Sequence, residues 1–203
     1  MRWLPFVVCG AGEDGNTCPI RNIIYCYAIW QPEFDEFVPR GVKFVKGFNS
    51  PLLSEGYMRA NPDTLLLIDD CAYEAPKNFL SDCFTRFSHH YKWSIAYQVH
   101  NIFTKEIPDQ RTTALNSSYT LICASRRCRD SVGNFAQQVF RGSPPWLKTF
   151  HEVYNSMLTK DFASLLVDTH SRQTNPRMTL RRNLFFPMFD DEPMAIYFPP
   201  TLD

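Results

Sequence analysis

One stretch constrains the fold of this chain more than any other: Thr64-Leu65-Leu66-Leu67-Ile68-Asp69-Asp70, an apolar run closed by two carboxylates. A Leu/Ile run with no polar alternation reads as a strand buried on both faces, the environment of a parallel sheet covered by helices. Such sheets bind ligands at the carboxyl ends of their strands, where Asp69 and Asp70 stand. The bland alternative is a buried strand entering an acidic turn, because a short apolar run carries no chemistry by itself.

With 203 residues, 44% of them hydrophobic, the chain is long enough for one α/β domain with a full core and short extras. Lys+Arg and Asp+Glu both number 21, so no global field announces a nucleic-acid partner, which would have to be met by local patches. Seven cysteines with no C-x-x-C pair point to reduced thiols and an intracellular setting. The opening Met1 to Cys9 is too short and too broken by Pro5 for a secretory signal. No stretch approaches the length of a membrane-spanning helix, so no membrane partner is expected.

Leu4 to Cys9 reads as a strand, followed at once by Gly10-Ala-Gly-Glu-Asp-Gly15-Asn16-Thr17. This is the skeleton G-x-x-x-x-G-K-[ST] of a phosphate loop with Asn16 at the lysine position. Gly10, Gly15, Asn16 and Thr17 are therefore the candidate nucleotide-binding residues, with Thr17 also a candidate metal ligand. Only four residues separate Thr17 from the next strand, Asn22 to Tyr27, whereas a parallel crossover needs about a dozen or more. The helix that should follow a phosphate loop is missing, and Asp14-Gly15 also fits a hairpin turn. Residues 1–21 are thus a degenerate phosphate loop, a hairpin or a disordered end.

Further strands are expected over Val42 to Val45, Trp93 to Tyr97, Tyr119 to Ala124 and Phe162 to Val167. Helices are expected over Pro76 to His90, Val132 to Phe140 and Trp146 to Leu158. Residues 188–203 read as an acidic, Pro-containing tail. Asp69-Asp70 resembles the Walker B element of P-loop nucleotide hydrolases, and Gln98 closes the next strand along.

The order of these features over residues 22–187 resembles the FtsK/HerA-type genome-packaging ATPases of Polinton (Maverick) elements and related double-stranded DNA viruses. The likeness runs from Ile23-Ile-Tyr-Cys-Tyr27 and Trp30-Gln31-Pro32 through Leu67-Ile68-Asp69-Asp70 and Ser88-His89-His90. It continues with Gln98, Asn101-Ile102-Phe103, Arg111-Thr112, Leu115-Asn116-Ser117 and Arg129-Asp130. It closes with Leu165-Leu166-Val167-Asp168 and Arg181-Arg182-Asn183-Leu184-Phe185.

The resemblance implies an α/β, RecA/ASCE-type domain with a mostly parallel sheet flanked by helices. It implies ATP and Mg²⁺ as cofactors, and a homo-oligomeric ring that packages double-stranded DNA into a capsid in the nucleus or at a virus assembly site. Asp69 would hold Mg²⁺ directly or through water, Asp70 would orient the attacking water, and Gln98 would sense the γ-phosphate. Arg129 would be an arginine finger, or else a DNA-phosphate contact or a solvated arginine. His89 and His90 match the pattern and read as structural groups at a helix end.

Asn16 cannot supply the lysine's positive charge, so very weak hydrolysis or none is expected. Two other classes stay open. A catalytically silent module would bind DNA or partner subunits through Arg126, Arg127, Arg129, Arg181 and Arg182. A metal-dependent nuclease would use Asp69, Asp70 and Glu74, although adjacent acids on one strand face opposite ways.

Overall fold

A computed structural model describes residues 20–100, 107, 110–160, 163–170, 173–182 and 194–200. The chain divides into two compact units, Met1–His100 with Thr104–Thr113, and Asn101–Phe103 with Ala114–Asp203.

The first unit is built on four parallel strands. They are β1 (Asn22–Tyr27), β2 (Val42–Lys46), β3 (Thr64–Asp69) and β4 (Ser94–Gln98), in the spatial order β2-β1-β3-β4. Two 3-10 turns, Pro32–Glu36 and Val38–Arg40, connect β1 to β2, and α1 (Glu55–Ala60) precedes β3. Ser54 caps α1, its side-chain oxygen accepting from the Tyr57 amide and satisfying an N-H that the first helical turn leaves orphaned. After β3, α2 (Phe79–Asp82) passes through a π-helical stretch, Cys83–Phe87, into α3 (Ser88–His90). This helix starts later than the expected Pro76, because Asn78 sits at φ 64° and turns the chain into it.

Alternation along β1 divides two apolar layers. Ile24 and Cys26 pack with Leu66, Ile68, Met58, Leu80 and Cys83, while Tyr25 packs with Phe34, Phe37 and Val42 on the opposite face. Leu66 is fully buried, and burial of a side chain of this size stabilises the fold by roughly 1.5–3 kcal/mol. At the amino end of the sheet the Asn61 carbonyl accepts both the Thr64 hydroxyl and the Trp93 indole N-H, each at 2.8 Å. Two otherwise unpaired buried donors are satisfied there.

The second unit begins with α4 (Gln110–Asn116), which straddles the division, and β5 (Tyr119–Cys123). Then come α5 (Arg129–Val139), α6 (Pro144–Met157), β6 (Ser164–Asp168), β7 (Leu180–Arg182) and β8 (Ala195–Tyr197). Its sheet, in the order β5-β6-β7-β8, is antiparallel throughout. The chain is α/β, as expected, with a parallel sheet of four strands in the first unit and this antiparallel sheet in addition. One crossover helix carries a chain to the far end of a sheet, whereas two helices in succession, α5 and α6, bring it back to the end it left. β5 and β6 consequently run in opposite directions. One face of this sheet, with Ile122, Leu165, Val167 and Leu180, is covered by Phe135, Phe150, Val153, Tyr154 and Met157 of the two helices.

Within residues 188–203, Ala195–Tyr197 pairs with Leu180–Arg182 as a sheet strand. Among the described residues, no helix is long and apolar enough to cross a membrane.

Candidate functional site

Parallel pairing brings one row of residues to the carboxyl ends of the first sheet. Lys46 pairs with Tyr27, Tyr27 with Asp69, and Asp69 with Gln98. Residues in register across parallel strands project to the same face, so Asp69 and Gln98 stand side by side where a parallel sheet presents groups to a ligand. Gln98 is exposed.

Asp69 is only 6% exposed. Its Oδ2 accepts the Tyr25 hydroxyl at 2.5 Å, while its Oδ1 is buried with no hydrogen-bond partner. Loss of solvent raises the Asp69 carboxyl above its ordinary range, and the Tyr25 hydrogen bond acts in the opposite sense. Asp70 raises it further and His100 lowers it. The same burial, reinforced by the carboxylate, pushes the Tyr25 phenol upward, so that it remains a donor.

Asp70 turns away from this environment. Its backbone is left-handed, at φ 51°, a conformation that Asp tolerates better than most residues. Its Oδ1 lies 3.1 Å from His100 Nε2. The chain then drops Cys71 into the core, where burial raises its thiol to about 11. Glu74 follows in a 3-10 turn, Ala72–Glu74, and reaches Gly47, where a β-carbon would lie 2.7 Å from Glu74 Oε2.

The remaining candidates fall elsewhere. Gly10, Gly15, Asn16 and Thr17 lie outside the described residues. Arg129 opens α5 in the second unit, exposed, and lines an open cavity of about 480 Å³ with Asp130, Asn134, Gln137, His151 and Asn155. Arg126 and Arg127 are exposed, but Arg181 and Arg182 are not the free basic groups a DNA-binding patch requires. Arg181 is paired with Asp168 at 2.6 Å, and Arg182 is 6% exposed. Strand alternation on β7 turns one arginine to each face and buries both heads against the sheet. His89 and His90 end α3, exposed. Among the described residues no group of three or more His, Cys, Asp or Glu side chains is arranged to hold a metal.

Two residues of the site escape sequence reasoning. Tyr25 carried a signal, since a tyrosine amid buried apolar residues must place its hydroxyl on a partner; the partner's identity depends on register. His100 carried none.

Comparison with family models, with curated proteins and with solved structures gave no match.

Proposed function

We propose that the chain is a P-loop-type subunit of the FtsK/HerA packaging class, descended from a ring motor that drives double-stranded DNA into a capsid with ATP and Mg²⁺. Its hydrolysis is impaired by Asn16. The observation that carries the proposal is the Asp69–Gln98 pair at the carboxyl ends of adjacent parallel strands. A cation anchor beside a polar γ-phosphate sensor needs this placement.

The chemistry of Asp69 fits Mg²⁺. Mg²⁺ keeps several of its waters and takes one or two protein carboxylates together with substrate phosphates, so a multidentate cage is not required. A buried carboxylate oxygen without a partner suits one coordinated water or the ion itself. Mg²⁺ would supply positive charge to the nucleotide phosphates. Asp69 would hold it, Asp70 would orient water from its exposed turn, and Gln98 would face the terminal phosphate. Arg129, on a helix start, keeps the role of a finger toward a neighbouring subunit.

The opposed settings of Asp69 and Asp70, one buried and one exposed, favour this arrangement over the nuclease alternative, which needs carboxylates converging on shared metals. The silent binding module is the reading that remains if no cation binds at Asp69.

Phosphate release from ATP by the purified chain, with Mg²⁺ and double-stranded DNA, tests the impairment. The wild-type rate is expected to stay within tenfold of Asp70→Asn. A wild-type rate more than roughly tenfold above that variant, about 1.4 kcal/mol of barrier, would show a competent hydrolase.

A further inference from the structure

We infer that Tyr25 is the positioning residue of this site: its hydroxyl, clamped on Asp69 Oδ2, fixes the carboxylate so that Oδ1 alone is presented to a divalent cation. The inference rests on the assignment of Asp69 as the cation anchor.

A carboxylate on a two-bond stem exchanges its oxygens freely unless one is held. Here the 2.5 Å hydrogen bond holds Oδ2 and leaves Oδ1 buried without a partner. The donor is itself immobile. Tyr25 lies one step before Tyr27 on the same face of β1, in register with Leu67. Its ring packs against both Phe34 and Phe44, with centroids 5.0 and 5.4 Å away. Phe34 and Phe44 stack on each other at 4.8 Å. Few rotamers are open to a phenol that is 4% exposed and braced by a stacked pair of rings, and side-chain packing behind a ligating group is what gives a metal site its geometry.

The test uses the full chain without turnover. Mn²⁺ affinity in the presence of ATP is measured in wild type, in Asp69→Asn, in Tyr25→Phe, and with 3-fluorotyrosine incorporated at position 25. Carboxyl-¹³C aspartate labelling, with Asp69→Asn to assign the signal, follows the Asp69 carboxyl at one fixed pH in the same set. Tyr25→Phe is expected to lower the affinity at least tenfold and to move the Asp69 signal. The fluorinated residue, a stronger donor of nearly the same size, is expected to move the signal and keep the cation bound, and it gives an answer even if the Phe variant unfolds. A signal indifferent to both changes overturns the role of Tyr25. Mn²⁺ affinity that drops in Asp69→Asn but not in Tyr25→Phe also overturns it, leaving Asp69 as the anchor. Affinity unchanged in Asp69→Asn contradicts the anchor and the inference together.

Discussion

Gln98 ends β4 in register with Asp69 at the end of β3, so an exposed amide stands beside a buried carboxylate on one face of the sheet. The amide contributes little to the fold, because exposed substitutions away from special features fall within about 0.5 kcal/mol. Gln98→Ala is accordingly expected to leave the urea midpoint unchanged. A loss well beyond 0.5 kcal/mol would make Gln98 a structural residue instead of a free group facing a ligand.

Asp69 carries a cost in stability with a definite pH signature. Its carboxyl is raised by burial, so over the window above the unfolded value of about 4 the native state still holds a proton that the unfolded chain has released. Stability from this group is fully present below about pH 4 and is lost as pH rises through the native pKa. Asp69→Asn lacks that loss. In urea titrations across pH the variant is expected to gain on wild type as pH rises; a wild type that gains on the variant over the same window contradicts a raised carboxyl.

Gly47 stands at φ 63°, with Glu74 Oε2 2.7 Å from where a β-carbon would be. Gly47→Ala therefore meets both a left-handed backbone and a close side chain. The backbone part costs roughly 1–2 kcal/mol, whereas the tip of Glu74 can swing aside. Chemical denaturation of Gly47→Ala with and without Glu74→Ala separates them. Most of the loss is expected to persist in the double variant, and full rescue by Glu74→Ala would assign it to the contact.

In the second unit the Arg181–Asp168 pair is largely shielded, with side-chain exposures of 16% and 4%. Asp168 also accepts from Gln173 Nε2 and from the His170 amide. Removing one partner of a buried pair leaves an uncompensated charge at about 3–5 kcal/mol. Arg181→Met is expected near the lower end, because the other two donors remain. The readout is the unfolding free energy, and a change under about 1 kcal/mol would class the pair with exposed ones.

Much of the first unit is legible in the sequence, because unbroken apolar runs such as Leu65 to Ile68 have one comfortable place, a buried parallel strand. The adjacency of Asp69 and Gln98 follows from the same logic, since parallel neighbours finish at the same end. Strand direction in the second unit is harder to see. Leu165 to Val167 reads like any buried strand, and the clue to its antiparallel course lies in the two helices before it. β7 and β8 are three residues each, too short for alternation to register, and Arg181 and Arg182 read as surface charge until pairing buries them. Tyr25 is hidden for a related reason: its hydrogen bond spans 44 residues and exists only once β1 and β3 are in register.

The most direct measurement is the affinity of the purified chain for Mn²⁺ in the presence of ATP, compared between wild type and Asp69→Asn. If the unpartnered Asp69 oxygen anchors the cation, wild type binds at least tenfold more tightly, a difference of about 1.4 kcal/mol. Equal affinities would contradict the cation site and the role proposed for Asp69, and would leave the silent binding module.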